Sequence, residues 1–446
     1  MSKSKEVADE ENPLAHLVTS LQLRVQELEA ENAKLSSQLS NCTCSEKQKK
    51  HGSSAVKGEK MARLTCSLPE ELLVEILSRL PPESLLRMKC ASKSWYVFIK
   101  NLVKDPTFVA KHLRSSMSST YTLFSGYHFC NCDVITPKCS ESAFSLVGEL
   151  SDDNLDDQIH FVTKYLSPLL ILLENYFSDT VERYHCDGIF CIVDIFRDHN
   201  IALCNPAIKE FRLLPKPSHA LKTRGVGFRG VGFGHDPRAN DYKVVVFGYY
   251  DLLKPFKAEV YTLTTHSWRE IGSGLDVDCM PGADNYAYVK GFFYWFIWHP
   301  NYMILSFDMC NEAFQTIVMP GDAGSASQSP RLTVWNESVA VIYSFCDDEG
   351  YVLSFEIWVM DNGYDSNKGS CSWNKVRTIG PLVRMAEALA FRNDDELLIY
   401  NEDGVLCSYN IRSKKLIEID IHKVAGTLQF WSFSYVKSLV SVQGRE

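Results

Sequence analysis

"LTCSLPEELLVEILSRLPPESLLRMKCASKSWYVFI", residues 64–99, crowds leucines into a short stretch punctuated by proline. Leu72, Leu73, Ile76, Leu77 and Leu80 fall at i, i+1, i+4, i+5 and i+8, a wide apolar face on one helix. Ser67 suits the N-cap, Pro69 the first turn, and Glu70 and Glu71 the positive end of the helix dipole. Pro81-Pro82 stops that helix. A second short helix is expected from Glu83 to about Lys89, carrying Leu85, Leu86 and Met88. A third is expected from about Ser92, carrying Trp95, Phe98 and Ile99. Three short helices enclose a very small core. Their apolar faces exceed what so small a unit hides, which argues for a partner protein, against the alternative of an ordinary helical core.

These residues resemble an F-box. The family pattern is matched by Leu68-Pro69, Glu70-Glu71, Ile76-Leu77, Arg79-Leu80-Pro81, Leu85-Leu86-Arg87, Cys90, Ser92-Lys93-Ser94-Trp95 and Ile99, with Ala91 standing where Val is usual. The resemblance implies a helical domain over 64–112 that binds the Skp adaptor, and through it the cullin, of an SCF-type ubiquitin ligase. It further implies that Leu68, Pro69, Leu72, Ile76, Leu80, Pro81, Leu85, Leu86 and Trp95 form the adaptor-binding surface.

Upstream, "LAHLVTSLQLRVQELEAENAKLSSQLS" repeats Leu14, Leu21, Leu28 and Leu35 every seven residues, with Val18, Val25, Asn32 and Leu39 on the other seam. Leu at d, β-branched residues at a, and one Asn at a favour a parallel two-stranded coil over 14–41, hence a homodimer; the alternative is a lone amphipathic helix. A DNA-binding zipper needs a basic helix running into the coil from its N-terminal side. Here that segment is "KEVADEENP", acidic and broken by Pro13. Residues 42–63 read as a flexible linker.

Downstream the chain repeats. Residues 120–440 read as an all-β domain in which a strand, a polar turn and a second strand recur: "IALCNPAIKEFRLLP", "AEVYTLTTHSWREIG", "MILSFDMCNEAFQTIVMP", "FEIWVMDNGYDSNKGSCSWNKVRTI" and "GVLCSYNIRSKKLIEIDI". The second strands start near Phe211, Trp268, Phe314, Trp373 and Leu416. Further strand pairs lie between them, such as "RGVGFGHDPRANDYKVVVFGYY" and "YAYVKGFFYWFIW". Four strands per unit of roughly 45–60 residues fit a β-propeller of about six blades. The sixth would join strands from 121–150 to "FWSFSYVKSLVSV" and close the ring. "GVGFGHDPRANDYKVV", "EVYTLTTHSWREI", "GFFYWF", "ILSFDM" and "FEIWVMD" resemble the plant F-box-associated interaction domain over 183–420, most similar to the S-locus F-box type. That type acts as a receptor for basic ribonucleases in self-incompatibility.

Bulk properties narrow the classes. The 446 residues carry a net charge of −9, which argues against a general nucleic-acid binder. Residues 1–116 hold a net +4 and residues 117–446 a net −13, so the larger part should steer basic partners. Fifteen cysteines, odd in number and set mostly in apolar runs, read as reduced thiols in the cytoplasm or nucleus. Cys42/Cys44 and Cys130/Cys132 lack zinc-site spacing. The best apolar run, "YLSPLLILLENYF", is too short for a membrane span. "GVGFRG", Gly225 to Gly230, matches a dinucleotide motif but has no strand before it or helix after it; the glycines are expected to permit close strand approach. His235-Asp236 is expected to lead into a β-turn. "SDDNLDDQ", 151–158, lacks a calcium loop's alternation. Exposed loop aromatics are the better signal for binding: Tyr249, Tyr250, Phe256, His299 and Tyr302 are the candidate substrate-contacting residues.

The reading is therefore an α+β multi-domain chain: coiled-coil helix, three-helix F-box, then an all-β propeller. It would be a non-catalytic receptor that brings a target protein to a ubiquitin ligase, with no cofactor, metal, nucleic acid or membrane partner. The alternatives are an S-locus-type receptor for basic ribonucleases in self-incompatibility, a Skp-binding scaffold without degradation, and a propeller enzyme or lectin with an F-box appended.

Overall fold

The computed structural model describes residues 70–117, 121–129, 140–147, 181–194, 199–217, 230–248, 257–272, 281–297, 302–321, 326, 330–365, 370–419 and 430–444. The heptads of 14–41, the linker, the acidic 151–158 loop, Gly225–Arg229, Ser67, Leu68 and Pro69 lie outside the described residues.

Four helices open the described chain: α1 (Glu70–Leu77), α2 (Pro82–Met88), α3 (Lys93–Leu102) and α4 (Pro106–Ser116). The sequence reading expects only three, and the structure adds α4. Pro82 begins α2 with its φ preset for helix. Ser92 caps α3 by accepting from the Trp95 N–H at 3.2 Å. Asp105 caps α4 through the Thr107 N–H at 2.8 Å, with Pro106 in its first turn.

Among the described residues twenty-three strands follow, from β1 (Tyr121–Phe129) to β23 (Phe430–Tyr435). They form up-and-down antiparallel blades. β3 (Val181–Cys186) to β6 (Glu210–Leu213) make one, β7 (Gly230–Asp236) to β10 (Ser267–Ile271) the second, and β11 (Pro281–Val289) to β14 (Ala313–Val318) the third. β15 (Arg331–Trp335) to β18 (Ser370–Ile379) and β19 (Met385–Asn393) to β22 (Leu416–Glu418) make the fourth and fifth, joined by the single Val352–Met385 pairing. The sixth sheet runs β2 (Ser140–Val147), β1, β23, so a strand from the far end of the sequence completes it.

The first strand of each blade faces its counterpart in the next: β3 against β7, β7 against β11, β11 against β15, β15 against β19, and β19 against β23. Tyr435 closes the circle, stacking on Phe190 of β4 (Ile189–Asp194) with centroids 5.5 Å apart. The fold is thus the expected β-propeller: where about six blades are expected, the described residues form six.

Because both faces of a blade are covered by neighbours, its inner strands are apolar throughout rather than alternating. β12 (Phe292–Ile297) shows this. Phe293, Trp295 and Ile297 enter the core shared with blades one and two, while Tyr294 and Phe296 enter the core shared with blade four. β7 is the thin counterpart. A Cβ on Gly232 would lie 2.6 Å from Trp295, so the glycine makes room for the indole, whose N–H donates to the Val231 carbonyl at 2.7 Å.

The polar turns that mark the repeat have a common chemistry. Asn205, Asp308 and Asn410 each end the third strand of a blade. Their side chains accept from N–H groups two or three residues on: Ala207; Cys310 and Asn311; Arg412 and Ser413. That Asx bond lets the chain reverse at once into the fourth strand.

Candidate functional site

The helical unit buries Leu77, Leu85, Ile99, Leu102 and Phe108 in a core of its own. The wide apolar face of α1 divides. Leu73, Val74 and Leu77 turn inward, and Leu80 just beyond packs on the same core, whereas Leu72 is 50% and Ile76 48% exposed. On α3 the Trp95, Phe98 and Ile99 face is inward, with Trp95 edge-on to Phe98 at 6.0 Å. Tyr96 and Val97 point out, 48% and 55% exposed. Lys100 lies over the Tyr96 ring at 5.8 Å.

Of the nine residues the resemblance assigns to the adaptor surface, Leu72, Ile76 and Pro81 are exposed, and Leu80, Leu86 and Trp95 half-buried. Leu85 differs from the others: it is fully buried and anchors α2 in the helical core. Leu68 and Pro69 lie outside the described residues. Tyr96 and Val97 are exposed apolar residues outside that set of nine, and "WYVFI" carries the signal for their exposure. With positions 95, 98 and 99 on one helical face, 96 and 97 must lie on another.

α4 ties the helices to one another and to the propeller. His112 is buried and its Nε2 lies 2.9 Å from the Leu80 carbonyl, with Ser116 Oγ near Nδ1. Burial pushes its pKa down, against a smaller rise from that bond and from Glu83. Lys111 and Arg79 both reach Glu75 of α1, at 2.5 and 2.7 Å. Val109 and Leu113 pack against the core of blades one to three.

In the propeller, Tyr302 is exposed and rests on Phe296, centroids 5.6 Å apart. Tyr249, Tyr250, Phe256 and His299 lie outside the described residues. A cavity of about 420 Å³ opens among the turns that leave the first strands, lined by His185, Asp187, Tyr288, Trp335 and Arg392 with Met117 from the end of α4. Burial lowers His185 to about 3, and its Nε2 accepts from the Gly188 N–H, so it is neutral there.

His235-Asp236 does lead into a turn, between β7 and β8 (Asp241–Gly248). Asp236 has a further partner the sequence did not reveal. Lys243 is buried, with Nζ 2.6 Å from Asp236, 2.9 Å from Glu312 and 2.7 Å from the Met309 carbonyl. Burial alone would raise Asp236, but the bonds from Lys243, the Ala239 N–H and Cys310 hold it at about 2. Burial alone would lower Lys243, but Asp236 and Glu312 outweigh it and its pKa stands raised. Arg269 pairs with Glu312 as well. This cluster staples blade two to blade three; the saturated charges leave no free acid or base.

Among the described residues no group of three or more His, Cys, Asp and Glu side chains could hold a metal ion. Nor is any described helix long and apolar enough to cross a membrane.

Comparison with known proteins matches the F-box domain to residues 66–106 and the F-box associated beta propeller domain to residues 140–442. Among curated proteins of Arabidopsis thaliana, the chain is similar to the F-box protein At3g21120, 24% identical over 331 residues, covering 70% of this chain and 81% of that one. It is similar to the F-box protein At3g10430, 30% identical over 261 residues, covering 56% and 61%. It is also similar to the F-box/kelch-repeat protein At3g17570, 25% identical over 401 residues, covering 84% and 96%.

Proposed function

Because the chain belongs to the F-box proteins that carry an F-box-associated β-propeller domain, a class of substrate-recognition proteins, we propose that it is the receptor subunit of an SCF-type ubiquitin ligase. It docks its helices on the Skp adaptor, and through it on the cullin, and holds a target protein on the propeller for ubiquitination and proteasomal degradation. Its contribution is proximity: target lysines are brought to a ubiquitin-loaded enzyme carried by other subunits.

The observation that carries this is the outward half of α1 and α3. Leu72, Ile76, Tyr96 and Val97 are large, apolar and exposed on helices whose inner faces already fill a core. Residues 117–446, with a net −13, favour a basic target, the class that the S-locus type recognises. The heptads of 14–41 would pair two receptors and raise avidity for a multivalent target.

The test is calorimetric titration of purified Skp adaptor into wild type and a Leu72→Asp/Ile76→Asp variant. Burying the exposed half of each side chain is worth about 1 kcal/mol. A carboxylate placed unpaired in the interface costs about 1–3 kcal/mol more. Affinity should fall at least about 100-fold. Both residues are exposed, so the thermal unfolding of the variant should match wild type. Absence of binding by folded wild type would sink the ligase reading. Undiminished binding by the variant would place the contact elsewhere.

A further inference from the structure

After Tyr435 ends β23, residues 436–444 do not return to a sheet. They run as a strap between the first blade and the helices. Asn205 is fully buried and donates through Nδ2 to the Ser438 carbonyl and hydroxyl and to the Val440 carbonyl, at 2.8 to 3.2 Å. Glu210 accepts from the Ser441 hydroxyl and the Val442 N–H. Gly188 (φ +83°) lets the strap pass: a Cβ there would lie 2.6 Å from the Val436 carbonyl oxygen and from Ser438 Oγ.

The strap's other side faces the helices. Leu439, 3% exposed, is part of the same core as Leu77, Leu85 and Ile99, and Ile208 from the turn after β5 (Ile201–Asn205) packs there too. Lys437 reaches Glu83 of α2 at 2.9 Å. The F-box core is therefore not closed by its own helices. It is completed by one leucine from the strap and one isoleucine from the first blade.

We propose that the strap is a brace that holds the F-box rigidly on the first blade, and that Leu439 is a positioning residue for adaptor binding although it is not on the F-box helices. The physical reason is that α1 and α2 are short, eight and seven residues. Isolated helices of that length do not persist in water and depend on packing for their order. Leu77 and Leu85, which anchor them, share their core with Leu439. Remove that neighbour and the two helices lose part of what orders them, together with the exposed residues they present. A second consequence is geometric: with the brace in place, the propeller's rim keeps one orientation relative to the adaptor.

The part concerning adaptor affinity rests on the ligase reading, so the test has two readouts. The first is hydrogen exchange, followed by mass spectrometry, on the full chain and on Leu439→Ala and Leu439→Asp variants. Amides of α1 to α4 should exchange at least tenfold faster in Leu439→Asp, and less so in Leu439→Ala, while β12 and β16 (Ser338–Cys346) keep wild-type protection. Unchanged exchange in the helices would overturn the brace. So would equal loss in β12 and β16, which would mean general unfolding. The milder variant serves if the aspartate abolishes folding. The second readout is adaptor affinity, expected to fall at least fivefold in Leu439→Ala. Faster helix exchange with undiminished affinity would overturn the positioning role and leave the brace. Should folded wild type fail to bind adaptor at all, the exchange result still decides the brace.

Discussion

Lys243 offers the sharpest test of how the propeller is held together. Its ammonium sits between two carboxylates and a carbonyl, 7% exposed, and it joins a strand of blade two to the turn after β13 (Met303–Asp308) of blade three. Replace it by methionine, which keeps the bulk and removes the charge. Asp236 then keeps the Arg238 and Ala239 N–H groups and the Cys310 thiol. Glu312 keeps Arg269. Breaking a buried ion pair by removing one partner typically costs about 3–5 kcal/mol, because the other charge stays buried. Each carboxylate here retains donors, so the expected loss is at the lower end, about 3 kcal/mol. The assay is urea unfolding followed by tryptophan fluorescence and by far-UV circular dichroism. A triple variant, Lys243→Met/Asp236→Asn/Glu312→Gln, removes the stranded charges and should recover most of the loss. A loss under about 1 kcal/mol for Lys243→Met would refute the claim that the cluster is a buried staple. So would a triple variant less stable than the single one.

Two further outcomes follow from the same packing. His112 is held neutral by burial, its pKa below the ordinary histidine value. The unfolded chain therefore binds the extra proton first, and the stability that His112 contributes is fully present above about pH 6.5 and declines as pH falls below it. Unfolding of the helical unit, followed by hydrogen exchange of α4 between pH 7.5 and 5.5, should show lower protection at the acid end; a His112→Gln variant should show a weaker pH dependence, and an equal one would assign the effect elsewhere. Gly232→Ala should destabilise by about 1–3 kcal/mol, since the added methyl meets the ring of Trp295 within a packed core. A melting temperature equal to wild type would mean that the blades shift apart freely.

How much of this was legible in the sequence depends on how local the cause is. The turns of the propeller are local: in blades one, three and five an Asn or Asp folding back on its own N–H groups marks the reversal into the fourth strand, and an aromatic or long apolar residue opens that strand. Phe211, Trp268, Phe314, Trp373 and Leu416 each fall in the fourth strand of a blade, as the repeat predicts. The closure of the ring by β1 and β23 was legible too, because an orphan pair of strands needs a partner and the far end supplied one. The fourth helix was missed although Asp105-Pro106, a cap followed by a first-turn proline, announces it. Leu85 could not be separated from Leu86 by spacing alone. Adjacent leucines on a seven-residue helix share a face, and only the position of the core decides between them. Lys243 was invisible for a similar reason. In "DYKVVVF" it reads as the outward polar residue of an alternating strand, and Glu312, which buries it, comes from another blade.

The same distinction bears on function. The adaptor surface we propose is made of one helix's outward side chains and is written in periodicity, so Leu72 and Ile76 can be read from it directly. A strap that completes the F-box core from the far end of the sequence is written nowhere locally. Its residues, "KSLVSV", look like a strand that should have paired. They do not pair, because Asn205 and Glu210 take the hydrogen bonds a neighbouring strand would have taken. Leu439 is then free to face the helices. Ring closure and F-box attachment thus use neighbouring residues of one segment: Tyr435 packs the propeller against Phe190 and, four residues on, Leu439 completes the F-box core. A substitution that loosens the strap should therefore disturb both of its neighbours, helices first and blade one second, while blades three and four keep their protection.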